Sequence, residues 1–130
     1  MSPSEADLQS WIIEAATTLG WLGYHTHDSR NSVEGFPDLV LVRGRIIYRE
    51  LKISTRPSAV TVPQRRWLHQ LRHAGADADV WTLDDWPNHI TRELSSRTSL
   101  RAPRALPPPP TPEEIARYEL KRRRSRITRR

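Results

Sequence analysis

Residues 39–53 constrain the fold of this chain more than any other stretch. Leu39-Val40-Leu41-Val42 is a short apolar run that stops at Arg43-Gly44, a compact turn signal. Arg45-Ile46-Ile47-Tyr48-Arg49-Glu50-Leu51-Lys52-Ile53 follows at once, rich in branched and aromatic side chains. Such a pair closes into an antiparallel hairpin, and the remaining chain must extend that hairpin into a sheet and cover it.

The flanking segments are suited to this. Leu8, Trp11, Ile12, Ala15 and Leu19 recur at helical spacing, which predicts an amphipathic helix over 4–19 with start signals in Ser2, Pro3 and Glu5 and a stop at Gly20. Residues 21–26 read as a strand and 27–34 as a polar loop. After a loop over 54–62, Thr61-Val62-Pro63-Gln64 opens a second helix whose buried stripe is Trp67, Leu68, Leu71 and Ala74, closed by Gly75. Residues 78–83 read as another strand, and Asp84 or Asp85 can cap a last short helix through Trp86, Ile90 and Leu94. This order predicts an α/β domain, a mixed central sheet flanked by helices.

Charge divides the chain. Residues 97–130 hold eleven Lys/Arg against three Glu, a charge of +8, whereas residues 1–96 hold ten against twelve Asp/Glu, a charge of −2. Six of the ten residues 103–112 are proline, which predicts an extended polyproline spacer rather than packed structure. The expected organisation is a domain over 1–96, a proline-rich linker over 97–112 and a basic, partly helical tail over 113–130. Lys121, Arg122, Arg123 and Arg124 are the tail's densest cationic run and suit a polyanionic partner. The chain has no cysteine, so disulfides and thiolate metal sites are excluded. No apolar run approaches the roughly 18–20 residues that span a bilayer, and residues 1–7 lack a signal-peptide layout. A cytoplasmic, non-secreted protein without a membrane partner is expected.

Three charged residues carry the chemistry. Asp38 begins the first hairpin strand, directly after Gly35-Phe36-Pro37, and Glu50 and Lys52 lie two apart on the returning strand and so share a face. A turn at Arg43-Gly44 leaves Asp38 beside Glu50. Paired carboxylates with a backbone carbonyl, here that of Leu51, make a hard oxygen site for Mg²⁺ or Mn²⁺. Such an ion polarises a phosphodiester and lowers the pKa of an attacking water, and a lysine can hold the phosphate or stabilise developing charge. A lone Glu-x-Lys is usually a solvated strand face. The compound pattern of Gly-x-Pro-Asp, hairpin and Glu-x-Lys is more specific.

The run G-F-P-D-L-V-L-V-R-G-R-I-I-Y-R-E-L-K, followed by P-Q-R-R-W-L-H-Q-L-R-H-A-G and V-W, resembles the VRR-NUC family. These are virus-type replication–repair nucleases of the PD-(D/E)xK superfamily. The resemblance implies a restriction-endonuclease-like α-β-β-β-α-β core and a divalent-metal-dependent hydrolase, an endonuclease, acting on DNA phosphodiesters in a phage or DNA-repair setting. Branched or flapped DNA is among the implied substrates, and a homodimer is common in the family. Asp38, Glu50 and Lys52 match the family's motif. Gln64 matches the glutamine that opens the following helix, although Thr61-x-x-Gln64 is also a capping box. For the acid that the family carries in its first helix, Glu5 lies near the inward stripe and Glu14 points to solvent. Ser2-x-x-Glu5 is also a possible capping box, and Gln9 stands where some relatives place the acid. His25, His27 and Arg30 precede the site, where they either touch phosphate or form a solvated loop. Trp67, Trp81 and Trp86 read as packing residues. A catalytically silent DNA-binding protein on the same fold is the alternative expectation.

Overall fold

The computed structural model describes residues 2–26 and 33–128. Eight elements build it: α1 (Glu5–Thr18), β1 (Leu22–His25), β2 (Leu39–Val42), β3 (Ile46–Lys52), α2 (Val62–His73), β4 (Asp77–Thr82), α3 (Asn88–Ser95) and α4 (Pro112–Thr128). The strands form one four-stranded mixed sheet in the order β1-β2-β3-β4. The first three are antiparallel, while β4 runs parallel to β3 because α2 carries the chain back across the sheet. The expected α/β class, element order and helix-flanked mixed sheet are therefore present.

The period-two alternation of β3 assigns each residue to a layer. Ile47 and Leu51 join Leu39, Leu41 and Trp81 in a core closed by Leu8 and Ile12 of α1 and by Ile90 and Leu94 of α3. On the other face Val80 and Ala78 pack with Val60 and with Leu68 of α2, and Tyr48 leans against them. The β2–β3 turn spans residues 43–45, with Gly44 at φ +68° where a side chain would be strained. No helix among the described residues is long and apolar enough to cross a membrane.

Three expectations change. The capping box of α1 is Ser4 with Asp7, not Ser2 with Glu5: the Ser4 hydroxyl accepts from the Asp7 N–H at 3.1 Å, and Asp7 accepts from the Ser4 N–H at 2.9 Å. Asp85 caps a 3-10 turn over Leu83–Asp85 rather than α3, which begins after Pro87 without a side-chain cap.

The third change concerns residues 97–112. The segment is extended, but it is packed. Arg101 and Arg104 pair with the buried Asp85 at 3.1 and 3.2 Å, and the Arg104 N–H donates to Asp79. Leu106 packs against the Leu68–Val80 cluster, and the Pro107 carbonyl lies 2.6 Å from the His69 ring. Beyond this strap α4 docks on α2 through Arg65–Glu114 at 2.7 Å, and it reaches the loop before β2, where Arg122 pairs with Glu34 at 3.4 Å and the Tyr118 hydroxyl donates to Glu34. Proline composition predicts an extended backbone correctly, but it carries no information about what that backbone touches.

A second charged cluster also escapes the sequence reading. Arg49 and Glu93 are each only 2% exposed. Arg49 meets Asp77 at 2.9 Å, and Arg45 bridges Asp77 and Glu93 at 3.0 and 3.3 Å. The two guanidinium groups lie over Trp81 and Trp21. These groups tie α3 to β3 and β4 at the end of the sheet remote from Lys52.

Candidate active site

Hairpin register brings the two acids together. Leu39 faces Arg49, so one step further Asp38 falls opposite Glu50, just beyond the last paired residues. Asp38 accepts the Leu51 N–H at 2.8 Å, and its charge acts on the Glu50 carboxyl. The N–H and C=O of one strand residue point to the same edge, so the Leu51 carbonyl also faces the side on which Asp38 sits. Lys52 Nζ stands 3.6 Å from Glu50 Oε2. Glu50 is 2% exposed and Lys52 9%, so this is a covered charge cluster and not a solvated strand face.

Electrostatics follow from that burial. Desolvation, and then the negative charge of Asp38, push the Glu50 carboxyl up to about 9, against a smaller downward pull from Lys52. Both causes act on Glu50 in one direction: burial and the adjacent negative charge disfavour its ionised form. Glu5 opens α1 beside this pair. Partial burial raises its carboxyl, Lys52 lowers it and Asp38 raises it again. Glu50 in turn is raised slightly by Glu5. With Asp7 taking the capping role, the Glu5 side chain is not needed for the cap. Glu14 is exposed, and Gln9 is engaged at 3.3 Å with the His25 ring.

A glycine fixes the approach to the site. Gly35 holds φ at +88°, and a Cβ there would lie 2.4 Å from the carbonyl carbon of Pro63, at the start of α2. The loop leading to Asp38 therefore abuts the first turn of α2. Phe36 of the same loop packs edge-on against Trp67 and Tyr48.

Gln64 does not join the cluster. Its side-chain oxygen accepts the Thr61 N–H at 2.9 Å and its own N–H donates to the Thr61 hydroxyl, which is the capping-box alternative. Trp81 is core, Trp86 stacks on Trp11, and Trp67 packs on Phe36. His27 and Arg30 lie outside the described residues. Lys121, Arg122, Arg123 and Arg124 are exposed on α4. Among the described residues no three His, Asp or Glu side chains converge as a ready metal cage, so Asp38 and Glu50 stand as a pair with Glu5 at their margin. The donor set, the Asp38 and Glu50 carboxyls beside a strand carbonyl, still fits a hard divalent cation, which would favour the ionised form of Glu50.

A cavity of about 450 Å³ lies between α2, α4 and the loop at Val33-Glu34, lined by Trp67, Ile115 and Tyr118 among others. It is separate from the acid pair. No family model, curated protein or solved structure matches the chain.

Proposed function

We propose that the protein is a divalent-metal-dependent nuclease that hydrolyses DNA phosphodiester bonds, a VRR-NUC-like member of the PD-(D/E)xK superfamily with a restriction-endonuclease-like core. One observation carries the reading: the hairpin register sets Asp38 against the buried Glu50 at a strand end, with Lys52 Nζ 3.6 Å from the Glu50 carboxyl. Burying Glu50 and Lys52 beside the half-buried Asp38 is costly for a fold that gains only structure from them, and such clusters concentrate at functional sites. Asp38, Glu50 and the Leu51 carbonyl would hold Mg²⁺ or Mn²⁺, which when bound supplies Lewis acidity toward the phosphate and a lowered pKa for an attacking water. The Leu51 N–H orients Asp38, and the covered Lys52 ammonium offers hydrogen bonds to a phosphoryl oxygen and stabilises charge that grows there in the transition state. Glu5 supports the acid pair from α1. The exposed cations of α4 extend the surface available to the DNA backbone.

The homodimer implied by the family belongs to the same proposal. The uncovered row Leu22, Val42 and Ile46 across β1, β2 and β3 is the apolar surface suited to it.

The test is cleavage of fork, flap, Holliday-junction, single-stranded and duplex DNA with and without Mn²⁺. The wild type cuts at least one of these only with metal. Asp38→Ala and Lys52→Ala lose about a hundredfold or more while remaining folded. Salt-sensitive DNA binding without cleavage would instead support the silent binder, and near-wild-type activity in either variant would remove the site assignment.

A further inference from the structure

Lys52 lines more than the acid pair. Alongside it, a cavity of about 120 Å³ is enclosed by the β3–α2 loop, the β4 residues Val80 and Thr82, and the strap residues from Arg104 to Pro107. This is far above the roughly 10–15 Å³ that a single water needs, and wide enough for a group of four oxygens. Its cations are Lys52, Arg56 and Arg104, its hydroxyls come from Ser54, Thr55 and Thr82, and its lining includes no carboxylate. Arg104 is held in place by Asp85 at 3.2 Å, a carboxylate it shares with Arg101. Three cations and three hydroxyl-bearing residues around one recess form a set that complements a tetrahedral oxyanion.

We propose that this recess is a phosphate-binding site, built jointly by Lys52, Arg56 and the strap residue Arg104. The anion site stands on its own lining. Assigning its ligand to the substrate chain rests on the nuclease reading: Lys52 adjoins both the acid pair and the recess, so a phosphate held here is one that flanks the phosphate to be cut. The strap thereby forms part of the substrate-binding surface.

The experiment measures thermal stability of the full chain against inorganic phosphate at constant ionic strength, in wild type, Arg56→Ala, Arg104→Gln and the α2 surface variant Arg66→Ala. Affinity of the same four proteins for a DNA duplex is measured across salt concentrations without divalent metal. Phosphate stabilises the wild type and Arg66→Ala, whereas Arg56→Ala and Arg104→Gln bind it about tenfold more weakly. Arg56→Ala binds duplex about tenfold more weakly too, with a salt slope shallower by about 0.9. Arg104→Gln can unsettle the strap through Asp85, and the exposed Arg56 keeps the test clean. Equal phosphate stabilisation in all four proteins overturns the site. Loss of phosphate stabilisation with unchanged duplex affinity shows a pocket for free phosphate and overturns the backbone assignment. A wild type that cleaves no DNA yet loses phosphate binding in Arg56→Ala would remove the nuclease reading and leave the anion site standing.

Discussion

Burial and Asp38 hold the Glu50 carboxyl protonated up to about pH 9, so the stability of the metal-free protein must follow that proton. The folded-state value lies above the ordinary 4.5. The neutral carboxyl's contribution is therefore full below about pH 4.5 and fades as pH rises toward 9. Glu50→Gln keeps the neutral shape at every pH. Metal-free thermal melts should show wild type and Glu50→Gln alike near pH 5, with the variant the more stable near pH 9. Mn²⁺ should raise the wild-type melting temperature more at pH 8 than at pH 5.5, because binding displaces the Glu50 proton, and should raise that of Glu50→Gln little. Parallel pH curves for the two proteins would contradict the raised Glu50 carboxyl. The pairing of these acids was legible in the sequence, since a hairpin of known turn position fixes which residues face each other. The depth of Glu50 was not: only the packing of α2 and the strap decides whether a charged strand end is wet.

Elements bring the remaining parts of the site into place, each testably. At the start of α1, Glu5 shares its field with Asp38, Lys52 and Glu50. Glu5→Gln should weaken the response to Mn²⁺ several-fold, while Glu14→Gln leaves the titration unchanged; the reverse order would put the helix face wrong. Where the site loop meets α2, Gly35 has both a left-handed backbone and a 2.4 Å conflict waiting for any Cβ. Gly35→Ala should cost about 2 kcal/mol or more in chemical denaturation and lower activity further by displacing Asp38. A stability loss under about 0.5 kcal/mol would show that loop and helix separate easily. Helix and strand identities were readable because α1, β2, β3 and α2 carry strong periodicity and clear stop signals. The α1 capping box was misassigned because Ser2 and Ser4 both offer the same spacing to an acid, and only the backbone distinguishes them. The Arg45–Arg49–Asp77–Glu93 cluster was invisible, because charged residues in strands carry no local sign of burial.

At the scale of the whole molecule, the basic segment does not hang free over its described residues 97–128. The strap and α4 hold it against β4, α2 and the loop before β2. A chain ending at Thr111 should keep most of the wild-type thermal stability, because Arg101, Arg104 and Leu106 remain. One ending at Leu100 should lose substantially more, with the uncovering of Leu106 and its neighbours alone contributing up to about 2 kcal/mol. Equal melting temperatures for the two truncations would restore the simple spacer. Proline content hid this because the strap's contacts are made by Arg101, Arg104, Leu106 and the Pro107 carbonyl, with partners sixteen or more positions earlier in the chain. The same arrangement sets an order on biosynthesis. A ribosome delivers the chain from its first residue onward, so α1, the sheet and α2 can assemble while Asp79 and Asp85 still await the strap. The nascent domain acquires Asp38, Glu50 and Lys52 early, but the recess beside Lys52 has no outer wall until residues 104–107 have left the exit tunnel, so the finished site forms only late in translation.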